Sequence, residues 1–430
     1  MSKQSISTKP VKGMRDVFPA DMRIRNWLFQ HWRTVAKSFG FEEYDSAIVE
    51  SEALYIRKAG DDITKELYTF EDKGGRKIAL RPEMTPTLAR MIMAKGGSLP
   101  LPARWFSIPQ CFRYERMQKG RKREHFQWNM DIIGLSSVAA EVELMAAQYT
   151  FLKNVGFVVE GEKTEIGFKV SNRQIIETFL DSLGITGETF AEVCIVMDKR
   201  DKIGEAATIE QLSQRGLNSE QANAILNLLN IRGMDELRET VGEDNPGYRS
   251  LVELISLAEA MGIASVIEVD LSVIRGLSYY TGTVWELYDT SGSVPRAIAG
   301  GGRYDRLMES LGGKPTPMVG FGFGDVVITL LLQEKKKLPT NQTLVDDVIY
   351  PIQKEQFAIA NRLAAQLRGQ NRTVLVEYSE RRFKHVIKLA EKVGAKRMLI
   401  IGESEAAKGV VRCKTIGGNQ EEQPLSDFGL

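Results

Sequence analysis

Between residues 22 and 39 the apolar positions Ile24, Trp27, Leu28, Trp32, Val35 and Ala36 recur at helical spacing. A stripe of that period predicts an amphipathic helix with one buried face. FEEYDSAIVES, KIALRP from Lys77 and the apolar stretch around Phe106 read as extended. Residues 112–117 and 123–133 are strand-like and flank Gln118, Lys119, Gly120 and Arg121, the pattern of a hairpin with a basic loop. A helix is expected over 138–154, followed by an extended GFKVSN and the helix IIETFLDSLG. From 185 to 261 acidic and polar helical patterns dominate without strand alternation, which predicts a helical insertion. Strands are expected to resume at Ile267, with VWELYD and RAIAGGGRYD as further extended candidates.

The charged, proline-containing QEKKKLPTNQTL from Gln333 reads as a linker. Beyond it DDVIYPI, KEQFAIANRLAAQLRG, TVLVEY, RRFKHVIKLAEKVG and RMLIIG alternate strand with helix and end in short strands, the signature of a small separate α/β domain. The expected division is a domain over 1–332 carrying the insertion, a linker over 333–344 and a second domain over 345–430. A chain of 430 residues exceeds what a single core supports, so this division is also the one its length favours.

Composition adds limits. Lys plus Arg total 57 against 56 for Asp plus Glu, so a nucleic-acid partner needs a local basic patch rather than an overall charge. Cys111, Cys194 and Cys413 fit neither a disulfide framework nor a zinc site, which implies a reducing, cytoplasmic setting. The N-terminus lacks the apolar core of a signal peptide, and no stretch supplies the ~20 apolar residues of a membrane span. A soluble protein with no membrane partner is expected.

Four stretches carry candidate chemistry. In FRYERMQKGRKREHFQWNMDIIG a strand over 123–131 would put Arg123, His125, Gln127, Asn129 and Asp131 on one face, and Phe126, Trp128 and Met130 on the other. Arg113 and Glu115 would share a side of the facing strand, offering a guanidinium for a phosphate and a carboxylate for an exocyclic amine. A surface hairpin laced with ion pairs fits the same spacing equally well. IRGLSYYTGTVWE places Arg275 beside a glycine and ahead of Tyr279 and Tyr280, whose hydroxyls could hold a planar polar ligand; spacing alone favours a strand edge with half-buried aromatics. AIAGGGRYDRL and VGFGFGD are glycine-rich without the spacing of a dinucleotide fingerprint or P-loop, and on their own read as turns. LRPEMTPTLAR sets Glu83 and Thr85 just before a helix, where capping is the commoner role.

In order and spacing these stretches resemble the histidyl-tRNA synthetase family, whose signatures VKGMRDVFP, LRPEMTPTLAR, FRYERMQKGR, RGLSYYTG and GGGRYD are similar to. The resemblance implies an α+β catalytic domain with an antiparallel sheet of the class II synthetase kind, a helical insertion and a C-terminal α/β anticodon-binding domain. It implies ATP-dependent activation of L-histidine and transfer of the product to the 3′ end of tRNA(His), with Mg2+ accompanying ATP and a homodimer as the assembly. By resemblance Arg113 would hold the ATP α-phosphate, and Arg121 would bind ATP as well. Glu115 would take the adenine amine and His125 would stack on the base. Glu83, Thr85 and Gln127 would bind the histidine ammonium, and Asp131 with Tyr279 and Tyr280 the imidazole. Arg275 would sit between the histidine carboxylate and the α-phosphate. Arg116 and Gln118 would meet the tRNA acceptor end, and Trp27 and Trp32 could reach the dimer interface. The alternative is a non-catalytic histidine-binding paralogue acting as a regulatory subunit. Four positions depart from the family pattern: Asp325-Val326 replaces Glu-Arg, Ser278 an Asp, Asp131 a Glu, and His125-Phe126 reverses the usual order. Arg306 is the candidate substitute for the arginine missing at Val326.

Overall fold

The computed structural model describes residues 6–56, 65–161, 163–274, 280–294, 296–339, 344–379 and 381–430. The chain divides into two compact units, 1–338 and 339–430.

In the first unit the strands are, in chain order, β1 (Glu42–Glu43), β2 (Val49–Ser51), β3 (Tyr68–Glu71), β4 (Lys77–Leu80), β5 (Ala103–Ser107), β6 (Gln110–Phe112), β7 (Glu124–Ile133), β8 (Ile166–Asn172), β9 (Ile267–Val269), β10 (Thr283–Asp289), β11 (Ala299–Arg303) and β12 (Met318–Gly324). A nine-stranded sheet runs β1-β5-β7-β12-β11-β10-β8-β9, with β6 paired to β7 beside this path. Its centre, from β5 to β8, is antiparallel, while β1 with β5 and β8 with β9 are parallel. The antiparallel sheet expected from the resemblance is therefore mixed at its edges, since β8 reaches β9 only through a helical crossover, the connection a parallel pair requires. β2, β4 and β3 form a separate three-stranded sheet.

The hairpin is shorter than its spacing predicts. Of the expected first strand only Phe112, the last residue of β6, pairs with β7, and 113–117 is not a strand. The Glu115 N–H turns back to the Arg113 carbonyl at 2.8 Å, breaking the extended course, and Gln118 and Arg121 close the tip through an isolated bridge. The two-faced reading of β7 also needs correcting: from Trp128 to Ile133 every residue is buried, so the polar face is enclosed by protein as well. The run in RAIAGGGRYD is extended as its pattern over that stretch predicts, forming β11, and VGFGFGD, read on its glycines alone as a turn, is the strand β12.

Helix Pro19–Ser38 buries Leu28, Phe29, Trp32, Val35 and Ala36. Trp32 stacks on Trp128 at 5.8 Å and meets Phe151 and Phe323. Being fully buried, Trp32 has no surface for a partner subunit, so the interface role expected for it is withdrawn; Trp27 is half-buried against His31. Helices Gly187–Ile203, Glu205–Ser213, Ser219–Asn230, Met234–Val241 and Pro246–Ala260 form the insertion. The last packs on β8 and on helices Ala139–Asn154 and Arg173–Ser182. A β-carbon at Gly247 would come within 2.8 Å of the Ile175 nitrogen, so this close approach requires glycine. Helix Asp325–Glu334 continues into the segment read as linker.

The second unit contains β13 (Asp347–Pro351), β14 (Val374–Val376), β15 (Arg397–Ile401), β16 (Val410–Thr415) and β17 (Gln420–Pro424), ordered β14-β13-β15-β16-β17. The β14-β13-β15 ladder is parallel, and helices Phe357–Gly369 and Phe383–Lys392 provide the crossovers. Arg381, Arg382, Lys384 and Lys388 at and before the second helix are all exposed.

Candidate active site

Where the chain leaves the β6–β7 ladder it opens a polar cleft. Arg113, Glu115, Arg121, Lys122, His125 and Gln127 line one side, and Ala297 to Gly300, Gly322, Gly324, Val326 and Val327 the other. Arg121 Nε pairs with Glu115 Oε2 at 2.5 Å, and Arg113 reaches the other Glu115 oxygen at 4.0 Å. Arg113 Nε also donates to the Pro82 carbonyl at 3.0 Å, which aims the guanidinium. Burial first, then the charges of Arg113, Arg15 and Arg121, push His125 down to about 3, so its imidazole is neutral and presents a flat uncharged ring. Arg123 turns aside: its guanidinium lies 3.6 Å from the Tyr114 ring centroid.

Behind Gln127 on the same face of β7 are Asn129 and Asp131. The carboxyl of Asp131 is 2% exposed and accepts a hydrogen bond from the Tyr304 hydroxyl. Burial raises it to about 7, a shift that the Tyr304 bond only partly offsets. Tyr44 is close by, its hydroxyl pushed well up by burial and next by the Asp131 charge. Asn129 Oδ1 is buried with no hydrogen-bond partner among the described residues. The glycines of β12 create the room. A β-carbon on Gly320 would overlap Asp131 Oδ1, and one on Gly322 would overlap the Gln127 amide. Likewise Gly302 accommodates Tyr280, whose ring would stand 2.8 Å from an added β-carbon.

A buried ionic clamp fixes the base of the cleft. Arg15 bridges Glu124 (2.5 Å) and Asp325 (3.0 Å), and Asp325 Oδ1 accepts from the Phe126 N–H at 2.9 Å. Asp325 thus ties the start of the helix after β12 to β7. Arg303 is similarly held by both oxygens of Glu141 at 2.6 Å, fixing the end of β11.

The family model described as Histidyl-tRNA synthetase matches residues 13–324. The chain belongs to the histidyl-tRNA synthetase family. The anticodon binding domain model matches residues 346–428. Among curated relatives of this synthetase family, a "Histidine--tRNA ligase, chloroplastic/mitochondrial" of Arabidopsis thaliana is 43% identical over 426 residues, covering 99% of this chain and 87% of the relative. A "Histidine--tRNA ligase" of Halobacterium salinarum is 37% identical over 97% of this chain and 96% of its own. The crystal structure of a histidyl-tRNA synthetase from Nostoc sp. PCC 7120 shares the fold, with a TM-score of 0.82 at 24% identity over 99% of both chains.

Of the residues that the synthetase resemblance singles out, Arg113, Glu115, Arg121, His125 and Gln127 meet in the cleft, and Asp131 lies behind it. Arg116 and Gln118 are exposed in the hairpin loop. Glu83 and Thr85 are half-buried at the start of helix Thr85–Lys95; the N-cap is Met84, with no side-chain cap bond, so capping does not explain that motif. Arg275, Ser278 and Tyr279 lie outside the described residues. Arg306 is exposed and does not line the cleft, which removes the support for its expected role. Sequence reasoning missed Arg15, Tyr304 and Lys122. The first two stood inside VKGMRDVFP and GGGRYD, so membership of those stretches was the signal available for them.

Proposed function

We propose that the cleft activates L-histidine with ATP and that the second unit serves tRNA(His) recognition, making the chain a histidine--tRNA ligase. The observation that carries this reading is the shared face of β7: Gln127 in the cleft, a buried carboxyl at Asp131 behind it, and two guanidiniums converging on Glu115 at the mouth. Arg113 binds the α-phosphate with Arg121 beside it, Glu115 accepts from the adenine amine, and the neutral His125 ring stacks on the base. Glu83, Thr85 and Gln127 take the histidine ammonium. Asp131, with Tyr280 and Tyr279, takes the imidazole.

In the first step a histidine carboxylate oxygen bonds to the α-phosphorus. The bond to the bridging oxygen breaks, and pyrophosphate leaves with the electron pair. The nucleophile is already ionised, so no side-chain base is needed, and positive charge around the α-phosphate lowers the barrier. Arg275 is assigned that role by resemblance. In the second step the terminal ribose hydroxyl of the tRNA attacks the adenylate carbonyl, the bond from that carbon to the phosphate oxygen breaks, AMP departs with the electron pair and the hydroxyl proton passes to solvent, with Arg116 and Gln118 at the acceptor end. Mg2+ would accompany the ATP phosphates and offset their charge. Among the described residues no group of three or more His, Cys, Asp or Glu side chains could hold a metal.

A homodimer is supported by the exposed apolar residues Ile48, Val49, Ile56 and Phe70 on and beside the three-stranded sheet. Among the described residues no helix is long and apolar enough to cross a membrane; a cytoplasmic setting is part of the proposal. The regulatory-subunit alternative is not favoured, because the anticodon-binding unit is present and full-length relatives are named as ligases. Histidine-dependent exchange of pyrophosphate into ATP, followed by histidine charging of tRNA(His), tests the reading. A folded full-length chain that exchanges no pyrophosphate would overturn it.

A further inference from the structure

The two walls of the cleft differ in charge. Arg113, Arg121 and Lys122 come from the hairpin side, whereas Ala297 to Gly300, Gly322, Gly324, Val326 and Val327 opposite them carry none. Arg296 immediately precedes this neutral wall. It is half-buried, its N–H donates to the Val294 carbonyl at 2.8 Å, and its Nη2 donates to Gln118 Oε1 at 2.6 Å. Its Cδ would stand 3.8 Å from a β-carbon on Gly120, itself a cleft residue, so its stem spans the gap to the hairpin tip.

Burial and then the charge of Arg121 push Arg296 below its usual range, while Glu115 pulls it up. Arg113 and Arg121 flank the carboxylate of Glu115, and Arg296, held at the loop tip by Gln118, feels the charges of both Arg121 and Glu115. Three guanidiniums near one carboxylate leave a local excess of positive charge that favours an anion between them. Whereas Arg113 is anchored to Pro82 where the strands part, Arg296 does not itself line the cleft but sits at its rim, against Gly120 and Gln118 of the loop tip and next to the lining residue Ala297. The neutral Gln118 amide, its partner here, is one an anion can readily displace.

We propose that Arg296 is the second phosphate anchor of the cleft, exchanging Gln118 for the β- and γ-phosphates of ATP while Arg113 holds the α-phosphate. This rests on the cleft being the ATP site. The Glu-Arg pair replaced by Asp325-Val326 leaves the neutral wall without a cation of its own, and Arg296 supplies one from the adjoining strand approach.

Calorimetric titration of the full-length protein with ATP and separately with AMP tests it, since AMP lacks the distal phosphates. Arg296→Ala should weaken ATP by about tenfold to a hundredfold, the loss of one charge-assisted contact, and leave AMP within about twofold. Arg296→Lys, which keeps the charge without the fork, should fall between. Arg113→Ala should weaken both nucleotides. Equal weakening of ATP and AMP by Arg296→Ala would reduce Arg296 to a loop brace and overturn the proposal, as would unchanged ATP binding with Arg113→Ala still impaired. If neither variant alters ATP binding, the ATP reading of the cleft fails instead.

Discussion

Replacing Asp131 by Asn removes a charge while keeping shape, and the tight fit over Gly320 makes an isostere the appropriate probe. The Tyr304 hydroxyl can still donate to the amide oxygen, so the pocket should persist. A charge-assisted hydrogen bond to the histidine imidazole contributes about 1.5–3 kcal/mol, so the KM for histidine should rise roughly tenfold to 150-fold while that for ATP stays nearly constant. The pH dependence is a sharper mark. Because Asp131 is raised from 3.8 to about 7, the carboxylate that would grip the imidazole is lost as pH falls through neutrality. The advantage of the wild type over Asp131→Asn should be full near pH 8 and shrink toward about pH 6. Titration of the substrate imidazole is common to both proteins and cancels in the ratio. Stability should move oppositely. The native state holds a proton on Asp131 that the unfolded chain releases, so stability is full below the unfolded value and lost as pH rises through the folded one, by up to roughly 4 kcal/mol. Ligand-free Asp131→Asn should therefore melt above the wild type near pH 8, with the gap closing toward about pH 4. Pyrophosphate exchange across pH and thermal denaturation measure the two effects. A wild-type-to-variant ratio that is flat with pH, or equal losses for histidine and ATP, would refute the argument.

Gly322→Ala should displace the Gln127 amide and raise the KM for histidine about tenfold or more in pyrophosphate exchange, with the fold intact by circular dichroism. Arg15→Ala should strand the buried Glu124 and Asp325 carboxylates and destabilise the first unit by about 3–5 kcal/mol in urea denaturation, far more than loss of a surface pair. A chain ending at Leu338 should retain histidine-dependent pyrophosphate exchange and lose most tRNA charging; a folded truncation that loses both would contradict the division of labour.

Helices announced themselves because their apolar stripes face a single core: the Trp32 stripe and the alternation after residue 345 both lie where period placed them. The hairpin did not, because 113–117 looks extended residue by residue while its side chains pair with one another, and that pairing, rather than propensity, sets where the ladder ends. Glycine content misled for a related reason, most plainly in VGFGFGD. Glycine signals a turn when only its own backbone is considered, but here the missing β-carbons make space for Gln127 and Asp131 from the neighbouring strand. At the site, motif membership marked Arg113, Glu115 and His125. Arg15 and Tyr304 act across long sequence separations, on Asp325 and Asp131, and periodicity carries no information about such partners.

The close seating of helix Pro246–Ala260 on helix Arg173–Ser182 bears on how this protein can be rearranged. A segment recognisable as an insertion invites excision at its two ends, yet its final helix buries Leu251, Leu254 and Ala258 and covers a strand of the central sheet. Exchange between relatives would have to break the chain at the Gly242–Asn245 turn, taking the outer four helices as the portable piece and leaving the last behind as permanent roofing. Lineages that vary this module should therefore vary it asymmetrically, at the exposed faces of the outer helices before residue 242 and only within narrow volume limits after it.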